Sequence, residues 1–173
     1  SCKVAGEMPD FDVENYMSAK QARKMDRFMQ FGFITSLAAL KDSGLEINDS
    51  NSARVGVYVG SGIGGLKTIE ITTNIYQAKG PRRVSPFFVP SAIINMISGN
   101  VSIAIGACGP NLSIVTACTS GTHSIGEASR LIEYGDADVM IAGGAEAAIT
   151  PTGIAGFGNS KALSTRDVEP GKA

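Results

Sequence analysis

One cysteine of this chain stands where a nucleophile could work. Cys118 lies in the run 115–121, VTACTSG, between a short apolar stretch and the small residues of a predicted helix start. A helix N-terminus has unpaired N–H groups and a partial positive charge, which favour the thiolate, the nucleophilic form of cysteine. The neighbouring side chains are small enough for a bulky acyl group to reach the sulfur. The run therefore predicts covalent acyl transfer through Cys118.

The other candidates for nucleophile or base are weaker. Free cysteines are often buried and inert, which is the competing interpretation of Cys118 and our interpretation of Cys108, in the turn 106–109. His123 is the single histidine and follows Cys118 by five positions. On a helix that begins near Thr119 it lies more than one turn along, so we expect a packing or surface role.

A glycine motif precedes the second predicted helix. Residues 60–65, GSGIGG, fit the G-x-G-x-x-G pattern of dinucleotide-binding proteins, between a strand and a helix. Such proteins carry an acidic residue about 20 positions later, at the end of a second strand. Here Val84, Ser85 and Pro86 occupy that region. We favour a tight turn, with a nicotinamide-dependent oxidoreductase as an alternative.

Composition narrows the classes of protein. The chain has 173 residues, of which 43% are hydrophobic and 18% charged, with a formal net charge of −1. This predicts a globular domain with no global attraction to nucleic acid or a membrane surface. The three cysteines form no Cys-x-x-Cys pair, so we expect no disulfide scaffold, no metal site and a cytoplasmic location. Because the first residue is Ser1 rather than methionine, we expect the chain to be part of a longer protein.

Alternating helix and strand patterns predict an α/β fold with a mainly parallel sheet. Helices are predicted at about 19–43, 66–79, 90–105 and 119–134, and strands at 54–60, 111–117 and 137–142. Ser18 and Gly44 would cap the first helix. Its helical spacing assigns six residues to the core: Met25, Phe28, Met29, Phe33, Leu37 and Leu40.

Several segments together resemble one enzyme family. They are Arg54–Gly65, Gly80–Pro90, Thr116–Gly121 and Gly135–Glu146, followed by Phe157-Gly158 and Lys161–Thr165. In this order they are similar to the β-ketoacyl-acyl carrier protein synthases, and most similar to their bacterial elongating branch. The resemblance covers almost the whole chain.

The resemblance implies a thiolase-like fold, in which two similar α/β halves form a five-layered αβαβα sandwich, usually in a homodimer. Residues 1–173 would cover most of the first half. Cys118 would accept an acyl group from acyl carrier protein, and its backbone N–H would supply half of an oxyanion hole. Decarboxylation of malonyl-carrier protein would then extend the chain by two carbons, without a cofactor. The family's two catalytic histidines and its lysine belong to the second half, so we expect residues 1–173 alone to be inactive.

The resemblance also assigns roles to individual residues. Ile63 would lie at the bend of the acyl pocket, and Phe88 would reach into the partner subunit's pocket. Gly153 and Phe157 would line the pocket wall. Six residues would form a basic rim that docks the acidic carrier protein: Lys20, Arg23, Lys24, Arg82, Arg83 and Lys161. Without the resemblance, the first five of these are interpreted as an ordinary solvated surface. A thiolase relative that uses coenzyme A and a non-catalytic ketosynthase-like subunit remain alternatives.

Overall fold

Three parallel strands form the sheet around which the helices pack. The computed structural model describes residues 2–9, 11–166 and 169–172, and its strands are β1 (Val55–Gly60), β2 (Asn111–Leu112) and β3 (Val139–Gly144). Their order is β2-β1-β3, with Val57 opposite Asn111 and Val55 opposite Val139. All six residues of the central strand β1 are buried, as expected for a parallel strand with a neighbour on each side. The predicted α/β class is confirmed.

Helices cover both faces of this sheet. They are α1 (Ala19–Ala22), α2 (Arg27–Ser43), α3 (Leu66–Lys79), α4 (Phe88–Ala92), α5 (Met96–Ile105), α6 (Ser120–Glu133) and α7 (Pro151–Asn159). Val57 and Val59 of β1 join the core cluster with residues of α2 and α5. Gly60 is one residue beyond Val59, so it points to the other face of the sheet, where it meets Ser120 and Ser124 of α6. Because successive strand residues point to opposite faces, α6 covers the face opposite α2 and α5.

The first predicted helix is wrong in one respect, because the chain forms two helices there. Asp26 is buried and extended, with φ −63° and ψ 161°, and its carboxylate accepts the N–H of Phe28 at 3.3 Å at the start of α2. The same carboxylate accepts the N–H of Thr68 at 2.8 Å in the first turn of α3. Asp26 thus caps two helices at once, which fixes the bend between α1 and α2.

The predicted core residues of this region are buried or half-buried. Met25, Phe28, Met29 and Phe33 are buried, while Leu37 and Leu40 are half-buried. The helical spacing therefore identified the correct face of α2. Among the described residues, no helix is both long and apolar enough to cross a membrane.

The predicted strand 111–117 is also wrong in extent, since only Asn111–Leu112 pairs with β1. Beyond Leu112, serine hydroxyls replace the backbone ladder. The N–H of Val59 donates to Ser98 Oγ at 3.0 Å, and Ser113 Oγ donates to the carbonyl of Val59 at 2.7 Å. Because the backbone groups of Val59 are satisfied in this way, the chain can leave the sheet and turn toward Cys118.

The remaining boundaries differ less. The predictions for α3 and α6 are correct to within one residue. The helix predicted at 90–105 is interrupted at Ile93, whose ψ of 140° is extended, and gives α4 and α5. β3 begins two residues later than predicted. Helix α7 was not predicted, although Thr150 and Pro151 form a typical N-cap and first position.

Candidate active site

Cys118 lies on a tight connection that leads directly into α6. The 3₁₀ turn Ala117–Thr119 is followed at once by Ser120, the first residue of the helix. Ala117 has φ 54°, in the left-handed region that side-chain-bearing residues rarely adopt. Strained backbone of this kind persists only when the surroundings enforce it, and it concentrates at functional sites. The Cys118 thiol is free and exposed at this turn.

Ser120 enforces the strained turn. Its side chain is buried, and its Oγ accepts the N–H of Thr116 at 3.0 Å while donating to the carbonyl of Ala117 at 2.8 Å. Ser124, also buried, donates to the carbonyl of Ser120 at 2.8 Å. The backbone on both sides of Cys118 is therefore tied to the first two turns of α6.

Glycines bring the start of α6 close to the sheet. A Cβ added at Gly60 would lie 2.5 Å from the carbonyl oxygen of Ile114, and one at Gly144 would lie 2.8 Å from the Cα of Gly121. Neither position can accept a larger residue without backbone movement. Gly60 and Gly144 end β1 and β3, so Cys118 lies at the carboxyl edge of the parallel strands, where α/β proteins commonly bind ligands.

Glu146 occupies the donors of the glycine motif. Its carboxylate accepts the N–H of Gly62 at 3.0 Å and the N–H of Ile63 at 2.9 Å, together with the hydroxyl of Ser61 at 3.2 Å. The N–H of Gly64 donates to Ser61 Oγ at 3.2 Å. A phosphate-binding loop needs free N–H groups and no adjacent negative charge. The loop therefore does not fit a dinucleotide, and the tight-turn interpretation accounts for the motif.

Cys118, Ile63 and Phe157 line one cavity of about 420 Å³. The lining is mainly apolar and consists mostly of glycine, alanine and serine residues, and Glu146 also belongs to it. Of the four predicted substrate-binding residues, the structure thus places Ile63 and Phe157 beside the nucleophile. An apolar cavity open to an exposed thiol has room for an acyl chain attached to the sulfur.

Gly153 and Phe88 lie elsewhere. Gly153 is buried one helical turn before Phe157 on α7, and a Cβ there would lie 2.2 Å from the carbonyl oxygen of Ala148. It allows α7 to pack closely against the segment after β3. Phe88 is half-buried at the start of α4. It is not among the residues that line the cavity beside Cys118.

Helix α7, which carries Phe157, is anchored through Glu70 of α3. The Glu70 carboxylate accepts the N–H of Thr152 at 3.0 Å and also the Thr152 hydroxyl. These hydrogen bonds from Thr152, with a further one from Thr150, hold the pKa of Glu70 below its usual value. A carboxylate at a helix N-terminus is also favoured by the unpaired N–H groups there. The position of Phe157 therefore depends on a contact between two helices.

The predicted basic residues fall into three groups. Lys20, Arg23 and Lys24 lie on or just after α1, Arg82 and Arg83 form part of the 3₁₀ turn before α4, and Lys161 follows α7. The first two groups are on neighbouring segments. Lys24 Nζ lies 4.5 Å above the ring of Phe87, and Ser91 Oγ donates to the carbonyl of Lys24 at 2.9 Å. All six are exposed except Lys24, which is half-buried.

His123 contacts the strained connection 116–120 around Cys118, which we call the elbow. Its Nδ1 lies 2.8 Å from Thr116 Oγ1, and Thr116 precedes Cys118 by two residues. The imidazole is exposed on α6.

Within residues 2–9, 11–166 and 169–172, no group of three or more His, Cys, Asp or Glu side chains is arranged to hold a metal ion.

Sequence reasoning missed the residues that support the site. In the sequence, Ser120 is one of several small residues, and Glu146 is the last residue of a motif. The available indication for Glu146 is a charged residue two positions after a strand that ends in two glycines, since such positions lie at the carboxyl edge of the sheet. Nothing in the sequence distinguishes the buried hydroxyl of Ser120 from its exposed neighbours.

This chain matches one protein family over almost its whole length. Residues 2–173 match the family "Beta-ketoacyl synthase, N-terminal domain". The chain is 61% identical over 173 residues to 3-oxoacyl-[acyl-carrier-protein] synthase 2 of Vibrio cholerae serotype O1, covering 42% of that protein. It is 53% identical over 167 residues, 96% of this chain, to the protein of the same name from Staphylococcus aureus strain N315, covering 40% of it. The chain thus spans about two fifths of the length of these relatives.

Solved structures agree in fold. A ketosynthase of a type II polyketide synthase, determined in complex with its acyl-carrier protein, matches with a TM-score of 0.83 and 27% identity, over 91% of this chain and 45% of that chain. A β-ketoacyl synthase from Burkholderia phymatum matches with a TM-score of 0.79 and 29% identity, over 94% of this chain and 40% of that one. The three-stranded sheet and its helices therefore have the thiolase-like arrangement expected for part of an N-terminal half.

Proposed function

Because this chain belongs to the β-ketoacyl synthase family, we propose that the full-length protein is a 3-oxoacyl-[acyl-carrier-protein] synthase, synthase 2, of type II fatty acid synthesis. One observation supports this proposal most strongly. The exposed thiol of Cys118 stands on a strained elbow before α6 and opens into the apolar cavity that Ile63 and Phe157 line. Residues 1–173 would supply the nucleophile and part of the acyl pocket, as part of the N-terminal half.

The reaction begins with acyl transfer to Cys118. The thiolate attacks the thioester carbonyl of an acyl-carrier protein, a carbon–sulfur bond forms at Sγ, and the carrier's thiol leaves with the electron pair of the broken bond. The negative charge on the tetrahedral oxygen needs donors, and the backbone N–H of Cys118 would provide one. The acyl chain would then lie along the apolar wall.

The second step extends the chain. Malonyl-carrier protein loses carbon dioxide, and the resulting carbanion attacks the acyl carbonyl on Cys118. The bond from the carbonyl carbon to Sγ breaks, the thiolate is regenerated, and the product is a 3-oxoacyl chain longer by two carbons. This covalent scheme uses no cofactor, and the residues that assist decarboxylation would come from outside this chain.

We propose acyl carrier protein, loaded with acyl or malonyl groups, as the partner in both steps. The exposed Arg82 and Arg83, with the neighbouring Lys20–Lys24 segment, offer basic side chains to an acidic carrier, and Lys161 would add a further one. Surface charge of this kind mainly sets orientation and rate of encounter. The ketosynthase solved with its acyl-carrier protein supports this partner class. We place the enzyme in the cytoplasm.

We also propose a homodimer. β2 is an edge strand of the sheet; its Leu112 is 46% exposed, and Val115, three residues further on, is 56% exposed. Ile103 on the neighbouring helix α5 is 80% exposed. An apolar edge of this kind pairs readily with a second copy. In this arrangement Phe88 would contribute to the partner subunit's pocket.

Acylation of the full-length protein tests the function. Radiolabelled acyl-carrier protein should label the wild type, and mass spectrometry should locate the acyl group on the peptide that contains Cys118. Addition of malonyl-carrier protein should then release a 3-oxoacyl product. A marked preference for acyl-coenzyme A would support a thiolase relative instead. Absence of labelling in a folded full-length protein would support a non-catalytic subunit.

A further inference from the structure

Glu146 is the only side chain seen to bond both the glycine loop and the segment after β3 among the described residues. Its Oε2 accepts two adjacent backbone N–H groups, of Gly62 at 3.0 Å and Ile63 at 2.9 Å. Its Oε1 accepts the hydroxyl of Ser61 at 3.2 Å and the N–H of Ala147 at 3.3 Å. Hydrogen bonds to an ionised acceptor are about twice as strong as neutral ones. The carboxylate therefore fixes the loop in one position.

The same loop touches the elbow. A Cβ added at Gly62 would lie 3.0 Å from the carbonyl oxygen of Ala117 and 3.1 Å from Glu146 Oε2. Gly62 is thus held between Glu146 and the residue before Cys118. Because interiors packed this closely do not deform continuously, a shift of the loop would press on the elbow.

The loop also presents an apolar side chain to the cavity. Ile63 is 38% exposed and lines the cavity together with Cys118 and Phe157. Its backbone N–H is one of the two that Glu146 accepts. The carboxylate therefore sets where the Ile63 side chain stands relative to the sulfur.

We propose that Glu146 is a positioning residue that sets the acyl-chain specificity of the site through the Gly62–Ile63 loop. The inference rests on the proposed function, since an acyl chain must be attached to Cys118 for Ile63 to meet it. Glu146 itself takes no part in the chemical steps. Its effect reaches the substrate through the position of Ile63.

Glutamine at position 146 separates this role from simple space filling. Glu146→Gln keeps the size of the side chain, but one of the two acceptor oxygens becomes an NH2 donor. Either the N–H groups of Gly62 and Ile63 or the donors of Ser61 and Ala147 then lose their acceptor. We expect the loop to shift and the Ile63 side chain to move, while the fold is retained.

The experiment is a double-mutant cycle in the full-length protein. The variants are E146Q, I63A and the double variant, with E133Q as a matched control, because Glu133 is exposed at the far end of α6. The measured quantities are kcat and KM for condensation of short, medium and long saturated acyl-carrier proteins with malonyl-carrier protein. Thermal unfolding followed by circular dichroism checks the fold of each variant.

We expect E146Q to change the ratio of kcat/KM between long and short acyl chains by about three- to ten-fold. In the I63A background the same substitution should change that ratio by less than about two-fold, and E133Q should leave the ratio at the wild-type value. If E146Q fails to fold, E146D serves instead, since it keeps the charge and withdraws the oxygens by one methylene.

Two results would overturn the inference. A uniform loss of kcat/KM at every chain length would make Glu146 merely structural. An equal change of the ratio in the wild-type and I63A backgrounds would show that Glu146 does not act through Ile63. Failure of the proposed function is a separate outcome, because the wild-type protein would then form no 3-oxoacyl product with any acyl chain.

Discussion

Cys108 and Cys118 are both exposed free thiols beside a connection between a helix and a strand, yet their surroundings differ. Cys108 follows the C-terminus of α5, where Gly106 takes φ 73° as the helix ends. Cys118 precedes the N-terminus of α6, where Ala117 takes φ 54°. A helix is partially negative at its C-terminus and partially positive at its N-terminus. The two thiols therefore stand at opposite ends of helix dipoles.

The two connections are also held differently. Around Cys108, the N–H of Cys108 donates to the carbonyl of Ser52 at 2.8 Å, and its thiol donates to the carbonyl of Gly106 at 3.6 Å, both bonds of Cys108 itself. Around Cys118 a buried side chain, Ser120, holds a non-glycine residue in the left-handed region. Glycine adopts such a conformation freely, whereas alanine requires support. The two thiols therefore share their exposure and differ in the turn beside them, which at Cys118 is strained and held by a buried side chain.

Removing each sulfur gives the largest expected difference between the two cysteines. In the full-length protein, Cys118→Ala should lower the rate of condensation on the order of 10⁴-fold or more, because the proposed acyl intermediate is carried on the Cys118 sulfur. Cys108→Ala should leave kcat/KM within about two-fold of the wild type, since Cys108 lies outside the cavity. Steady-state assays and acyl labelling measure both. Full activity of the Cys118 variant would contradict the covalent scheme.

Loosening the elbow should give the next largest effect. Ser120→Ala leaves the N–H of Thr116 and the carbonyl of Ala117 without their partner, at a cost of about 1–3 kcal/mol in unfolding free energy. If the same free energy is lost from the transition state of acylation, the rate of Cys118 acylation should fall roughly tenfold. Denaturant unfolding and single-turnover acylation measure the two quantities.

Ser129→Ala is the matched control for the elbow, because Ser129 is an exposed serine of the same helix. We expect this control to change the unfolding free energy by less than about 0.5 kcal/mol and to leave acylation unchanged. Equal losses in both serine variants would show that the elbow gains nothing from its buried hydroxyl.

Sequence reasoning found the cysteine and the strand-to-helix connection but not their supports. The small-residue run before α6 identified Cys118, and the periodicity of α2 identified its buried face. The sequence did not predict the break in the first helix at Asp26 or the end of β2 after Leu112. Each depends on a tertiary hydrogen bond, donated by the N–H of Thr68 to Asp26 and by Ser113 Oγ to the carbonyl of Val59. Local propensity cannot show which hydroxyl or carboxylate meets a distant backbone group. The supports of a site are harder to predict than its nucleophile for this reason.

Alkylation compares the two thiols directly with a smaller expected effect. In the full-length protein at neutral pH and low salt, a small alkylating reagent should modify Cys118 roughly three- to ten-fold faster than Cys108, because Cys118 precedes the partially positive N-terminus of α6 whereas Cys108 follows the partially negative C-terminus of α5. Peptide mass spectrometry over time gives both rates. Raising the salt concentration should narrow the difference, since both thiols are exposed. Equal and slow modification of both would favour the inert interpretation of Cys118.

The smallest expected effect concerns the part of the cavity lining that Phe157 of α7 provides. The hydrogen bonds from Thr152 and Thr150 lower the pKa of Glu70 in the folded state, so the ionised form supports α7. That support is fully present above the ordinary pKa of a glutamate and is lost as the pH falls through the lowered value. Amide hydrogen exchange, corrected for the intrinsic effect of pH, should show the loss at Thr152, whose N–H donates to Glu70.

A substitution at Glu70 makes this last comparison specific. Glu70→Gln removes the titrating group, so exchange at Thr152 should be faster than in the wild type at neutral pH and should show no step on acidification. The Cys108 amide should show no step in either protein, because its partner is the backbone carbonyl of Ser52, which does not titrate. A step at both amides would indicate general acid unfolding instead of release of α7. A step at Thr152 alone would show that the Phe157 wall is held by a charge, whereas the turn around Cys108 is held by its backbone.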